Sequence, residues 1–148
     1  MSCNTSEIPT IALSILNRVE ARINKSDIKQ ITDEELLSLY SVFGAALQRA
    51  LDILEKNPTL TIYATSNNKR ELIEIKGDND RCYRVFPRIN FCPCRAFRHQ
   101  VIERKVQVTC KHIIAARLAL ILNRTALHEV TSDQYLMLLK SMFDLEDS

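Results

Sequence analysis

Two short pairs of residues in this sequence are suited to binding a metal ion: Cys92 with Cys94, and Cys110 with His112. Zinc prefers thiolate sulfur and imidazole nitrogen, and structural sites hold it with four such ligands in a tetrahedron. Two pairs can complete that set of ligands from two separate segments of the chain. The spacing therefore predicts one structural Zn²⁺ ion bound by these four side chains. The alternative is that the cysteines are free thiols buried as small hydrophobic residues.

The same ligand set argues against catalysis. A catalytic zinc site keeps one position open for water or substrate, whereas the protein fills all four positions here. A nucleophilic pair of Cys110 and His112 is disfavoured because residues two apart on a helix face in different directions. The chain has only two glycines, Gly44 and Gly77, which excludes the glycine-rich loops that bind ATP phosphates or dinucleotides. We expect a protein that is not an enzyme.

The other cysteines and histidines are assigned no ligand role. Cys82 falls in a predicted strand as a small inward-facing thiol, and Cys3 lies in a terminal segment. His99 and His128 have no cysteine at ligand spacing, so we interpret them as surface or capping residues. Five cysteines without a secretory signal indicate a reducing compartment, and no stretch approaches the apolar length of a membrane span. The sequence predicts neither secretion nor membrane insertion.

The elements that must position these ligands follow from hydrophobic periodicity. Apolar residues at three- and four-residue steps predict helices over about 9–24 and, after a capping box of Thr32 and Glu35, over about 33–56. Tyr40 lies on the apolar stripe of the second helix, and Gly44 is interpreted as a packing glycine within it. Alternation over 60–64, 72–75 and 82–86 predicts an antiparallel meander, with 88–91 as a short edge strand.

Helical periodicity resumes after the cysteines. One helix is predicted to run to about Asn123, and a last one begins at Thr131, where Gln134 completes a capping box. Its expected buried face includes Tyr135 and Leu136, and an acidic tail follows beyond Asp144. The result is an α+β fold with N-terminal helices, a small β-meander, a zinc site at a strand–helix corner and C-terminal helices. Three regions, 1–57, 58–124 and 125–148, are expected to form one compact domain.

The charge is divided unevenly along the chain. Residues 81–124 contain ten Lys and Arg against one acidic residue, while the remainder contains ten against 17. A basic segment is the electrostatic signature of nucleic-acid binding, and aromatic residues within it, Tyr83, Phe86 and Phe91, are candidates to stack on bases. The candidate phosphate contacts are Arg84, Arg88, Arg95, Arg98, Arg104, Lys105, Lys111 and Arg117. Because the chain has no Trp and only 6% aromatic residues, we rank independent DNA binding below docking to a protein partner.

The arrangement Cys-x-Cys, a gap, and Cys-x-His resembles the SWIM-type zinc finger. Within that family, the segment from Cys110 to Ala115 is similar to the Cys-x-His-x-x-Ala form found in the small SWIM-domain subunits of Shu-type complexes. The further likeness lies in residues 33–40, 43–44, 50–53 and 92–97. The resemblance therefore extends over most of the chain and not only over the finger.

This resemblance implies a nuclear, non-catalytic accessory factor for homologous recombination and DNA repair after DNA damage. Such subunits pair with a RecA-like recombinase paralogue and help the recombinase filament to form or persist on single-stranded DNA. The family's zinc ligands correspond to the four residues named above, and its alanine to Ala115. The basic insert from Arg98 to Lys105 departs from the family pattern and leaves direct DNA contact open.

The helix that follows Cys110 is the candidate docking element. We expect zinc to fix the corner between sheet and helix, so that Ala115 and Ala119 are presented to the recombinase paralogue. The alternative for these two small residues is close packing of helices within the chain.

Overall fold

The computed structural model describes residues 8–67, 70–77 and 81–143. Its elements confirm the predicted α+β class, while Cys3 and the acidic tail beyond Asp144 lie outside the described residues. A π-helix, Phe97–Glu103, lies between the third strand and the fourth α-helix. In chain order, the other elements are α1 (Thr10–Asn24), α2 (Asp33–Phe43), α3 (Ala45–Lys56), β1 (Leu60–Thr65), β2 (Glu71–Lys76), β3 (Cys82–Val85), α4 (Lys111–Ile121), β4 (Thr125–Val130) and α5 (Ser132–Phe143).

The sheet has the strand order β3-β2-β1-β4. The predicted meander is confirmed, because β1 pairs antiparallel with β2 and β2 antiparallel with β3. The sequence reading missed β4, which pairs parallel with β1 from Leu60↔Thr125 to Thr65↔Val130. Residues 126–129 are all exposed, so β4 carries no apolar alternation by which a strand is recognised.

The predicted edge strand over 88–91 is wrong. This segment forms a turn followed by an irregular stretch. Its contact with the neighbouring segment is not a backbone ladder. Instead, the Asn90 side chain donates a hydrogen bond to the Val108 carbonyl at 2.9 Å. The segment is therefore held by a side-chain hydrogen bond outside the sheet.

Gly44 divides the predicted second helix into α2 and α3. Its φ of +62° and ψ of −143° fall in a region that is essentially restricted to glycine. A Cβ atom built there would meet no atom within 4 Å, so the interpretation as a packing glycine is wrong. Glycine is needed here because the backbone must turn between two helices.

We expect Gly44→Ala to destabilise the protein by about 1–3 kcal/mol, the usual cost of a non-glycine residue in such a conformation. In an uninterrupted helix the same change would instead stabilise the protein by about 1 kcal/mol. The sign of the change in the free energy of unfolding, measured in urea, distinguishes the two arrangements. A more stable Gly44→Ala variant would contradict the break at this residue.

Both predicted capping boxes are present. Thr32 Oγ1 accepts from the Glu35 backbone N–H, and Glu35 Oε1 accepts from the Thr32 N–H at 2.9 Å. The Glu35 carboxylate also accepts two hydrogen bonds from Arg22, at 2.6 and 2.8 Å, and this contact lowers the pKa of Glu35. Thr131 and Gln134 form the equivalent box before α5. The first box therefore also ties α1 to α2.

The core is built around α4, which packs against α1, α3, β2 and β3. The helix α4 is buried on nearly every side, and its buried residues include Ile113, Leu118 and Ala119. Two predictions of burial are wrong: Tyr40 is 56% exposed and Leu136 is 54% exposed. Tyr135 and Met142 form the buried face of α5. Within residues 8–67, 70–77 and 81–143, no helix has both the length and the apolar composition needed to cross a bilayer.

Candidate metal centre

The structure brings the four predicted ligands together. The sulfur atoms of Cys92, Cys94 and Cys110 and a ring nitrogen of His112 all lie within 4.8 Å of one another, and all four residues are buried. His112 Nδ1 is 3.6 Å from Cys92 Sγ and 3.9 Å from Cys110 Sγ. The sequence spacing therefore identified a real cluster, drawn from segments that are separated along the chain.

The cluster fits zinc. In a tetrahedral site, a Zn–S distance of about 2.3 Å and a Zn–N distance of about 2.0 Å place sulfur and nitrogen about 3.5 Å apart. The separation of 3.6 Å between Cys92 Sγ and His112 Nδ1 is close to that value. Three thiolates and one imidazole would hold the ion through four protein ligands, so its role would be to fix structure and not to activate water.

The protonation chemistry of the thiols also fits a bound cation. Burial raises the pKa of Cys92 and that of Cys110 above the usual thiol value. The pKa of Cys94 is lowered because the other two thiols donate hydrogen bonds to its sulfur. Three thiolates buried together need a positive charge among them, and a Zn²⁺ ion supplies it.

Two helix starts position the cysteines. Cys94 precedes the π-helix, and its sulfur accepts from the backbone N–H of Phe97 at 3.3 Å. Cys110 is the N-cap residue of α4, and the N–H of Ile113 lowers its pKa, opposing the larger effect of burial. These N–H groups stabilise thiolate charge at the starts of the π-helix and α4.

A buried polar clamp, which the sequence reading missed, joins the two ligand segments. Asn90, two residues before Cys92, donates through Nδ2 to the Val108 carbonyl at 2.9 Å. Its Oδ1 accepts from the hydroxyl of Thr109, which directly precedes Cys110. Asn90 and Thr109 are 5% and 1% exposed. The available signal was a polar residue close before each ligand pair, but only the fold shows that these two polar residues bond to each other.

Tyr83 is also part of the centre. Its ring stacks on His112, with the ring centroids 4.2 Å apart and the planes at 30°. A Cβ atom at Gly77 would lie 2.7 Å from Tyr83 Cε2, so this glycine leaves room for the tyrosine ring. Tyr83 was predicted as a base-stacking residue, whereas the structure uses its ring within the chain. Phe91 likewise makes an edge contact with Phe97 at 5.8 Å.

His112 Nε2 is buried and has no hydrogen-bond partner among the described residues. With Nδ1 facing the sulfurs, Nε2 is the nitrogen that carries the proton when a metal is bound. Metal-ligating histidines usually donate this proton to an acceptor. The described part of the chain offers none at hydrogen-bond distance.

Cys82, His99 and His128, which the sequence analysis left out of the ligand set and which the structure describes, are not part of the cluster. Cys82 is partly exposed in β3, so its interpretation as an inward-facing thiol is only partly met. His99 is on the surface, with Nδ1 2.8 Å from a Glu103 carboxylate oxygen. His128 is exposed on β4 and makes an edge contact with Tyr63. Both histidines therefore lie at the surface, as interpreted from the sequence.

The predicted DNA-contacting residues do not form one cluster. Arg117 is half-buried near Arg88 and Glu20, and burial lowers its pKa. Lys111 lines a cleft beside α3. The Arg84 side chain already has partners within the chain, since it forms an ion pair with Glu74 at 3.0 Å and donates a hydrogen bond to Ser141. Arg88 is exposed in the turn after β3, and the other exposed candidates lie in and around the π-helix: Arg95, Arg98, Arg104 and Lys105.

The predicted docking role of Ala115 and Ala119 is corrected by the structure. Both residues are 0% exposed and belong to the main hydrophobic core. Small side chains are needed there because α4 packs closely against neighbouring elements on several sides. They are packing residues within this chain and present no accessible surface.

Comparison with known proteins identifies relatives that align with most of this chain. The chain is 31% identical over 109 residues to zinc finger SWIM domain-containing protein 7 of Danio rerio, covering 74% of this chain and 76% of that protein. It is 27% identical over 129 residues to the Homo sapiens protein of the same name, covering 87% and 89%. The Dictyostelium discoideum homolog is 27% identical over 132 residues, covering 89% and 83%.

No family model matches the chain, and no solved structure matches it. The relatives nevertheless align over most of their own length and most of this chain. The family name describes a zinc finger, which agrees with the buried Cys₃His cluster found here. The chain belongs to the zinc finger SWIM domain-containing protein 7 family.

Proposed function

We propose that this protein is a non-catalytic, zinc-binding accessory subunit of a Shu-type complex. It pairs with a RecA-like recombinase paralogue in the nucleus and promotes homologous recombination. Its contribution is to assist assembly or stability of the recombinase filament on single-stranded DNA.

The buried Cys₃His cluster is the observation that carries this proposal. All four ligand positions would be filled by protein, which suits a structural ion and leaves no site for a metal-bound water. Membership of the SWIM family adds support. A protein organised in this way acts by presenting a surface.

The ATP chemistry of recombination is assigned to the partner. RecA-like proteins use a glycine-rich phosphate loop, and this chain has only two glycines, 33 positions apart. The zinc-bound subunit would then stabilise the partner or its filament through protein contacts. In this proposal, the paralogue is the subunit of the complex that binds ATP.

The exposed surface of β4 and α5 is the docking surface that we propose in place of Ala115 and Ala119. Among the described strands, none pairs with the outer edge of β4, so its backbone groups can accept a partner strand. Large apolar side chains are exposed on the same two elements: Leu127 at 63%, Leu136 at 54%, Met137 at 73% and Phe143 at 46%.

The test is co-purification of the tagged full chain from its native cells, followed by mass spectrometry. We expect a RecA-like ATPase with a phosphate-binding loop at near-stoichiometric yield. Met137→Asp should lose it, because a charge would be buried in the interface. Leu37→Asp is the matched control, since Leu37 is 72% exposed on α2. Recovery of no such ATPase, or equal recovery with both variants, would contradict the proposal.

Independent nucleic-acid binding is the second candidate, favoured by the exposed basic residues around the π-helix. Purified chain and purified complex can be compared on single-stranded DNA across a salt series. Tight binding by the chain alone, weakening steeply with salt, would favour this candidate. Binding that needs the paralogue would favour the accessory role.

A further inference from the structure

A cleft of about 220 Å³ opens beside the metal centre, between α3, the end of β2 and the first turn of α4. At roughly 30 Å³ per molecule of liquid water, this volume holds several waters or one phosphate group. Its walls include four cationic side chains and one carboxylate, together with a metal-ligand candidate: Arg49, Lys56, Lys76, Lys111, Asp52 and His112.

The positive charge of this cleft is not neutralised within the described part of the chain. The one carboxylate, Asp52, accepts from Gln48 at 3.3 Å. No ion pair or side-chain hydrogen bond joins the four cations to any described residue. Four cations around one small cleft repel one another, and an anion between them removes that repulsion.

His112 supplies a second and independent indication of a ligand. This residue is 3% exposed, lines the cleft, and has an unpartnered Nε2. A metal on Nδ1 leaves the proton on Nε2, which makes this atom a hydrogen-bond donor in need of an acceptor. A water molecule would accept that hydrogen bond but would leave the net positive charge of the described lining in place, whereas an oxyanion would accept the hydrogen bond and reduce that charge.

The start of α4 contributes to the same cleft. Lys111 and His112 are the first two residues of this 11-residue helix. Helix N-termini favour anions because their free N–H groups and the helix dipole both carry positive charge.

We propose that this cleft binds a phosphate group, with His112 Nε2–H and the surrounding cations as its donors. The phosphate belongs either to the backbone of a single-stranded nucleic acid or to a free phosphate compound. The site differs from the basic residues around the π-helix, and only Lys111 is common to it and the sequence-predicted contacts. The proposal rests on a metal-bound His112 and not on a role in recombination, so failure of either leaves the other standing.

The first experiment measures binding of the zinc-loaded full chain to a fluorescent oligothymidylate across a salt series. The test variant is Arg49→Gln/Lys56→Gln, at two exposed positions of α3. The matched control is Arg18→Gln/Lys25→Gln, which removes the same charge from exposed positions at and beside α1, outside the cleft. We expect the test variant to bind about tenfold more weakly, with the salt slope reduced by about 0.7, the value for one lost phosphate contact on a single strand. The control should bind like the parent protein.

The second experiment separates a nucleic-acid phosphate from a free one. The ¹⁵N resonance of His112 Nε2–H is followed while inorganic phosphate replaces chloride at constant ionic strength. A shift that the test variant loses, without oligonucleotide binding, supports the cleft and assigns it to a free phosphate compound. Equal weakening of oligonucleotide binding in test and control variants, or no response to either probe, would overturn the proposal.

Discussion

Cys110→Ser is expected to leave the protein without zinc and without a cooperative thermal unfolding transition. Structural zinc contributes an apparent binding free energy of about 10–16 kcal/mol in zinc-finger peptides, while a typical domain is stable by only about 5–15 kcal/mol. Cys110 is 1% exposed and begins α4, the helix at the centre of the core. Loss of this ligand should therefore disrupt the packing around α4 and not only the metal site.

The measurements are elemental analysis for zinc and thermal unfolding followed by circular dichroism. Cys82→Ser is the matched control, because Cys82 is a partly exposed cysteine outside the cluster. This variant should keep one zinc per chain and unfold like the parent protein. A Cys110→Ser variant that binds one zinc and unfolds cooperatively would contradict the assignment of the ligands.

Phe97→Ala is expected to reduce the free energy of unfolding by about 3–5 kcal/mol, the usual range for removal of a fully buried phenylalanine. Phe97 is 0% exposed, begins the π-helix and packs edge-on against Phe91. Zinc binding should persist, because the group that bonds Cys94 is the backbone N–H of Phe97 and not its ring. The variant therefore separates the packing of this segment from its ligand chemistry.

Urea unfolding with zinc in excess measures the stability change, and zinc content is determined in parallel. Phe143→Ala is the matched control, because Phe143 is 46% exposed at the end of α5 and should change the stability by less than about 1 kcal/mol. Equal effects of the two substitutions would be inconsistent with the buried position of Phe97.

The clamp of Asn90 and Thr109 explains how two short ligand segments can meet without a long regular element between them. Asn90 lies two residues before the first ligand pair and Thr109 directly before the second, and the two side chains bond to each other in the buried interior. Metal ligands are commonly oriented by hydrogen bonds outside the coordination shell. Here the clamp joins the ligand segments themselves, so part of the geometry for the metal is set by protein contacts.

The sequence by itself determined which residues form the metal cluster and where most helices and strands lie. Ligand type and spacing are local properties, and so are the capping boxes at Thr32 and Thr131. Periodicity likewise indicates which face of an amphipathic element is buried. It failed at Leu136 because an apolar residue at a helical position can still face solvent when no neighbouring element covers it.

The tertiary structure decided features that depend on contacts between distant segments. It assigned Ala115 and Ala119 to the core, stacked Tyr83 on His112, and paired β4 with β1. It also brought cations of α3, β2 and α4 around one cleft. No local pattern encodes these contacts, because each one depends on how the chain folds back on itself to bury α4 and join β4 to the sheet.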